Sequence, residues 1–146
     1  DRLKEIARER GFRDLLQEYL RPAEEAETLD PKKVVAEDPE SDIKIAIRDL
    51  RREWVNGRPK IVVEYEINGE KKSFRFIWHV VTKGRVLATV YLNDERALVL
   101  AALTGDESLK GRSGVATLTA KHLLALARFV GIGWDLLRWY AEMRRE

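Results

Sequence analysis

The chain has 146 residues, enough for one domain with a buried core. Hydrophobic residues make up 45% and charged residues 36%, and no apolar run approaches the roughly 20 residues that a bilayer requires, which excludes a disordered chain and a membrane-spanning helix. The absence of Cys excludes disulfides, thiolate nucleophiles and sulfur-ligated zinc, and two His leave little for a metal site. We therefore expect a cytoplasmic protein without a cofactor. Because no signal segment follows Asp1, we expect a processed, trimmed or excised chain.

The net charge of +2 is unevenly distributed along the chain. Residues 1–42 sum to −5, residues 43–92 to +6 and residues 93–146 to +1. A basic middle region beside an acidic arm can attract a polyanion, or it can bind its own acidic segment. The charge distribution leaves both interpretations open.

The N-terminal region is predicted to contain one helix and one connector. Apolar residues recur at helical spacing from Leu3 to Tyr19, which predicts an amphipathic helix over residues 1–21. Residues 22–42 are rich in Asp, Glu and Pro, which indicates an exposed acidic connector with one short helix that begins at Pro31. We expect residues 43–146 to form a single domain.

From Ile43 the apolar period changes to two, which predicts a sheet. Asn56-Gly57 and Asn68-Gly69 accept positive φ at both turn positions, so they predict two tight hairpins, and Lys83-Gly84 predicts a third. The result is an antiparallel meander of four to five strands. Across Asn68-Gly69, a two-residue turn places Tyr65 opposite Lys72. The same register places apolar residues opposite each other, such as Val63 opposite Phe74.

The same pairing rule, applied across Lys83-Gly84, makes the last two strands apolar on both faces. It places Trp78 opposite Thr89 on one face and Ile77 opposite Val90 on the other, with His79 beside them. One face is expected to receive helices. The face with Ile77, His79 and Val90 then needs a cover, which is either the N-terminal helix or a partner subunit. With a partner subunit, the chain is predicted to be a homodimer through this face.

Helical periodicity returns after the sheet and predicts three C-terminal helices. Asn93 or Asp94 can cap the first, which ends at Gly105. Thr119 can cap the second, which ends near Gly131, and the third extends from about Trp134 to Arg145. The predicted fold class is therefore α+β: an N-terminal helix, an antiparallel meander and three helices.

Basic residues of the sheet and of the polar loop 104–114 are the candidate nucleic-acid contacts. A nucleic-acid-binding surface requires cations on one face with aromatic residues among them, and glycines in the loop free backbone amides for phosphate. A surface connector is the alternative interpretation of the loop. The candidate residues are Lys71, Lys72, Arg75, Lys83, Arg85, Lys110 and Arg112.

The C-terminal half resembles the PaREP family of paralogous repeat proteins from hyperthermophilic crenarchaea. The resemblance lies in three stretches: Leu92 to Gly111, Leu118 to Leu123, and Leu136 to Tyr140. It implies an archaeal family associated with mobile elements and carries over no activity. The high charge and the near absence of Gln are typical of thermophilic proteins as well.

Residues 100–109 are also similar to the helix of LAGLIDADG homing endonucleases that ends in an acidic residue. This resemblance implies that Asp106 or Glu107 binds magnesium and makes them catalytic. Those enzymes have two long DNA-binding strands directly after the acid, whereas only residues 109–118 are available here, and Glu107 replaces their glycine. The resemblance therefore implies a degenerate endonuclease.

Three functions follow, in order of preference. The first is a non-enzymatic nucleic-acid-binding module of an archaeal mobile-element-type protein, which contacts the DNA or RNA backbone without reading bases. The second is a protein-interaction or dimerisation domain. The third is the degenerate metal-dependent endonuclease.

Overall fold

The computed structural model of the chain describes residues 28–133 and 135–144. The described residues form an α+β fold with six strands and three α-helices, and the predicted helix over residues 1–21 lies outside them. The strands are β1 (Val35–Asp38), β2 (Ile43–Val55), β3 (Arg58–Ile67), β4 (Glu70–Val81), β5 (Arg85–Leu92) and β6 (Gly114–Leu118). The helices are α1 (Asp94–Thr104), α2 (Ala120–Leu126) and α3 (Asp135–Arg144).

The strands form one curled antiparallel sheet in the order β1-β2-β3-β4-β5-β6. The predicted count of four to five strands is wrong, because two short edge strands lack a clear alternating pattern. β1 lies inside the stretch predicted as an acidic connector, and it follows a short 3-10 turn at Pro31–Lys33 that Asp30 caps. β6 follows the glycine-rich loop.

Two hairpin turns have the predicted geometry. Asn56 and Gly57 have φ of 52° and 74°, and Asn68 and Gly69 have 51° and 78°, which is the type I′ pattern. The second turn sets the predicted register between β3 and β4, with Tyr65 opposite Lys72. Local turn chemistry is therefore sufficient to fix this pair of strands.

The β4–β5 register differs from the prediction by one residue. Thr82–Gly84 forms a 3-10 turn between the strands, so Trp78 lies opposite Ala88 rather than Thr89. A shift of one residue moves every side chain of a strand to the other face. Val90 therefore shares the face of Trp78 and is buried, while Ile77 and His79 lie on the opposite face. The predicted dimer face is wrong for Val90.

One face of the sheet, the inner face, forms the hydrophobic core with the helices. Tyr65, Phe74, Phe76 and Trp78 lie on it and make edge or stacked ring contacts from one strand to the next. α1 contacts β1, β2 and β5, and α2 contacts β5 and β6. α1 is buried almost all round, as expected of a helix that lies between a sheet and a second helix.

Both predicted ends of α1 and the predicted start of α2 agree with the structure, but α2 ends at Leu126, short of the predicted end near Gly131. The Asn93 side chain accepts the backbone N–H of Arg96, and Gly105 ends α1 with a left-handed φ of 74°. Thr119 caps α2, and His122 completes a reciprocal capping box. The three C-terminal helices are therefore confirmed.

The loop between α2 and α3 packs directly on β2. The Arg52 N–H donates to the carbonyl of Gly131, and a β-carbon on Gly131 would lie 1.6 Å from the Leu50 carbonyl oxygen. Phe129 in the same loop pairs with Leu29, which ties the start of the described chain to this loop. The β2 side of the sheet is thereby anchored to the helical layer.

The opposite face of the sheet, the outer face, carries alternate residues of every strand. Cross-strand pairs such as Arg51 with Val62 and Val62 with Arg75 assign positions to this face.

In the described part of the chain, no helix is long and apolar enough to cross a membrane.

Candidate nucleic-acid interface

The structure brings three of the predicted contact residues to one surface. Lys71 and Arg75 lie on β4 and Arg85 lies on β5, and all three are exposed on the outer face. Lys83 is in the turn between these strands. With Lys72, which is also on β4, five of the seven predicted residues belong to the β4–β5 hairpin.

Lys72 lies on the inner side of the sheet instead. Its ammonium is 2.9 Å from Glu95 at the start of α1, and the Tyr65 hydroxyl donates to the same carboxylate at 3.0 Å. The Glu95 hydrogen bond raises the pKa of Lys72, and burial together with Glu95 raises the pKa of Tyr65 to about 12. This cluster joins the sheet to α1, so the prediction that groups Lys72 with Lys71 and Arg75 is not supported by its position.

The two predicted loop residues differ from each other. The Lys110 ammonium lies 2.7 Å from the Glu107 carboxylate, which raises the pKa of Lys110. Arg112 is exposed two residues before β6, and its guanidinium makes no ion pair with any described residue. Of the two, Arg112 is therefore the stronger candidate for a phosphate contact.

The outer face of β1–β3 carries equal numbers of acidic and basic residues. We call it the paired half. The Arg51 guanidinium contacts Glu64 at 3.0 Å, Asp49 at 2.8 Å and Glu53 at 3.4 Å. These carboxylates raise the pKa of Arg51 above its ordinary value, and the hydrogen bond to Glu64 is the largest cause. Arg48 pairs with Glu66 in the same way. The acidic residues are Glu37, Asp49, Glu53, Glu64 and Glu66, and the basic residues are Lys44, Arg48, Arg51, Arg58 and Lys60.

The outer face of β4–β6 has a different composition, and we call it the acid-free half. Its positions on these three described strands include no Asp or Glu. Arg75 and Arg85 therefore have no carboxylate neighbour on their own strands. Its residues are Lys71, Ser73, Arg75, Ile77, His79 and Val81 of β4, Arg85, Leu87, Thr89 and Tyr91 of β5, and Val115 and Thr117 of β6.

An exposed aromatic ring lies on the acid-free half. Tyr91 is 63% exposed on β5 and faces Val115, which is 71% exposed on β6. Tyr91 is not among the residues predicted from the sequence, because the predicted pairing of Trp78 with Thr89 places it on the core face, whereas Trp78 lies opposite Ala88. Alternation counted backwards from Leu92, which is buried, is the signal that would have placed Tyr91 outwards.

His79 and Ile77 are half-buried on the acid-free half. The Arg58 guanidinium lies 3.1 Å from His79 Nδ1, so this nitrogen accepts and the proton is on Nε2. A homodimer through the face with Ile77 and His79 remains a prediction.

Asp106 and Glu107, the candidate metal ligands, make contacts within the protein. His122 Nδ1 accepts the Thr119 N–H, so His122 Nε2 carries the proton and donates to Asp106 at 2.8 Å. The Ser108 side chain donates to the other oxygen of Asp106 at 2.6 Å. These two hydrogen bonds lower the pKa of Asp106 to about 2, and the one from Ser108 is the larger cause.

The arrangement at Asp106 holds the two ends of the β6 connection together. It joins the loop that precedes β6 to the helix that follows it. Within residues 28–133 and 135–144, no group of three His, Asp or Glu is positioned to hold a metal ion. A structural role therefore explains Asp106 and His122 without a metal.

A hollow of about 560 Å³ lies where the two halves meet. Arg48, Lys71 and Lys72 line it together with Glu64 and Glu66. Because Arg48 already pairs with Glu66 and Lys72 with Glu95, the hollow offers an anion little unpaired positive charge.

The geometry defines a class of protein: an α+β domain whose sheet has helices on one face and a divided, partly basic face on the other. The chain belongs to the PaRep2b family, because the family model described as PaRep2b protein matches residues 1–144. The predicted resemblance to the PaREP family is thereby confirmed. Neither the curated proteins nor the solved structures give a match.

Proposed function

We propose that this PaRep2b protein is a non-enzymatic nucleic-acid-binding module of an archaeal mobile-element-type protein. It binds the sugar-phosphate backbone through the acid-free half of the sheet. Arg75, Arg85 and Arg112 are the principal phosphate contacts, and Lys71 lies at the margin.

The segregation of acidic residues is the single observation that carries this proposal. A cation that already pairs with a carboxylate gains little from a phosphate, because the new contact replaces an existing one. On the paired half, Arg48 and Arg51 are in that position. On the acid-free half, Arg75 and Arg85 make no ion pair with any described residue, and binding of phosphate there releases counterions.

The surface chemistry supports backbone contact rather than base reading. Within the described residues, the acid-free half is a strand surface without a helix that could enter a major groove. Its exposed ring, Tyr91, offers a flat π-face that stacks on any base. Arginine guanidinium groups bind phosphate oxygens in a forked geometry that carries no sequence information.

The test is a salt titration with labelled single-stranded and duplex DNA and RNA, measured by fluorescence anisotropy. The variant Arg75→Glu with Arg85→Glu reverses two charges on the acid-free half. We expect its affinity at low salt to fall by about tenfold or more, and the slope of log affinity against log salt to decrease in magnitude by about 1.5.

The matched control is Lys33→Glu with Lys44→Glu, which changes the net charge by the same amount. Both lysines are exposed and lie outside the acid-free half. The control is expected to lose less than about threefold, since net charge acts only through long-range attraction. Equal losses in both variants would contradict a localised site.

Two further outcomes decide between the three functions. Absence of binding at low salt would reject the proposal and leave the protein-interaction domain. Strand cleavage on addition of magnesium would contradict the non-enzymatic assignment, and loss of that cleavage in Asp106→Ala with Glu107→Ala would establish the endonuclease.

A further inference from the structure

The free edge of β6 has no hydrogen-bonding partner among the described residues. β6 is the last strand of the sheet and pairs only with β5. No hydrogen bond from a backbone or side-chain group of the described chain reaches the side of Gly114–Leu118 that faces away from β5. An edge of this kind presents a row of unpaired N–H and C=O groups that an extended strand can bind.

The opposite edge of the sheet is protected. β1 has only four residues, two of which are Glu37 and Asp38, and Pro39 follows immediately. α1 contacts this strand as well. Charge, a short strand and a nearby proline are the usual means by which proteins prevent strands from pairing at an edge.

β6 is also short, with five residues, but it lacks the charge and the proline that protect β1. Its residues are Gly114, Val115, Ala116, Thr117 and Leu118, without a charge, a proline or a bulge. Val115 and Thr117 point to the outer face and are exposed, whereas Ala116 and Leu118 point to the core and are buried. Gly114 begins the strand with a φ of +85°, and among the described residues the free side of the remaining four residues is open.

We propose that β6 pairs antiparallel with β6 of a second copy of this chain, so that two sheets join into one. A two-fold axis through Ala116 places Val115 opposite the partner's Thr117, and the reverse contact follows by symmetry. On the other face, Gly114 lies opposite the partner's Leu118. This inference concerns assembly, and it stands whether or not the chain binds nucleic acid.

Self-pairing fits the chemistry of this edge better than a charged peptide does. The uncharged strand offers no ion pair to an acidic or basic partner, and two copies approach without repulsion between their strands. Val115 and Thr117 are β-branched, and such residues make favourable cross-strand pairs. The pairing also reduces the exposure of Val115, at present 71%.

The test is sedimentation velocity of the full chain from low to high micromolar concentration. We expect the mass to rise from that of one 16.9 kDa chain to that of two. In Val115→Lys with Thr117→Lys, each lysine faces a lysine of the partner, and we expect the dissociation constant to rise by about tenfold or more. A wild-type chain that stays monomeric throughout would overturn the proposal.

The matched control adds the same two charges beside the protected edge, as Val35→Lys with Ala46→Lys. Both residues are exposed on the outer face of β1 and β2, opposite each other. The control is expected to dimerise like the wild type. If the β6 variant dimerises normally, or if the control is equally impaired, the dimer uses another surface and the proposal is wrong.

A cross-linking experiment tests the register separately. The chain has no cysteine, so single substitutions report without background. When the Val115→Cys and Thr117→Cys proteins are mixed and oxidised, we expect the mixed disulfide to form, because the two positions face each other. A mixture of Val35→Cys and Thr117→Cys is expected not to react. Equal reaction of both mixtures would contradict the proposed pairing.

Discussion

The two halves of the outer face belong to the same sheet and have the same backbone pattern, but their charges are organised differently. On the paired half, Arg51 contacts Glu64, Asp49 and Glu53, and the cations and carboxylates balance. On the acid-free half, Arg75 and Arg85 lie among apolar and hydroxyl side chains. A count of basic residues along the chain does not separate these cases. A binding surface is distinguished by the absence of competing carboxylates beside its cations. The cross-strand register determines which carboxylates lie beside which cations.

The same division applies to how the two halves are anchored. The β2 side is tied to the α2–α3 loop through Gly131 and to residue Leu29 through Phe129. The β6 side ends in an edge that is open among the described residues, and the Asp106–His122 contact joins the loop before β6 to the helix after it. We therefore expect stability to depend most on the first side and intermolecular binding most on the second.

The largest expected effect is on stability and comes from Gly131→Ala. Its β-carbon would lie 1.6 Å from the Leu50 carbonyl oxygen, a backbone atom that cannot move away. We expect the free energy of unfolding to fall by about 3 kcal/mol or more, measured by urea denaturation.

The control for Gly131→Ala is Gly114→Ala at the start of β6. Gly114 has a φ of +85° but open space around it, so only backbone strain is added, about 1–2 kcal/mol. Equal losses for the two substitutions would show that the α2–α3 loop does not anchor the sheet.

The next effect concerns Tyr91 on the acid-free half. If its ring stacks on bases, Tyr91→Ala should weaken binding to single-stranded DNA by about tenfold and leave duplex binding nearly unchanged, because paired bases are not free to stack. Anisotropy titrations at fixed salt provide the measurement. Tyr91→Phe keeps the ring and should bind like the wild type, and a loss in that variant as well would argue against stacking.

A smaller effect is expected from pH at Asp106. Its folded-state pKa of about 2 lies below the ordinary value of 3.8, so the ionised carboxylate stabilises the folded state above about pH 4. This contribution is lost as the pH falls from about 4 through about 2. The urea midpoint of Asp106→Asn should therefore lie below that of the wild type at pH 6, and the two should converge near pH 2. A difference that does not depend on pH would exclude this cause.

The smallest expected effect separates the two halves directly. Arg51→Ala leaves three carboxylates on the paired half without their shared cation, so the urea midpoint should fall slightly, and less so in high salt. Arg75→Ala removes no ion pair among the described residues and should leave the midpoint unchanged. Equal decreases would mean that Arg75 also has a structural role.

The sequence was most informative where a short segment sets its own geometry. The Asn68-Gly69 turn fixed the β3–β4 register, and Asn93 and Gly105 fixed both ends of α1. Prediction failed across Lys83-Gly84, because a 3-10 turn and a two-residue turn differ by one residue and the sequence is compatible with both. β1 and β6 were missed for a related reason, since strands of four and five residues are stabilised by their neighbours rather than by their own pattern.

For the candidate site, the sequence by itself determined the α+β class, the PaREP resemblance, the hairpins and the basic character of the middle region. Only the tertiary structure decided which cations are already paired, that Lys72 faces α1, that Tyr91 is exposed on the same face of the sheet as Arg85, and that β6 is an open edge among the described residues. The physical reason is that periodicity and turn chemistry act within a few residues, whereas ion pairing and edge exposure depend on which strands become neighbours.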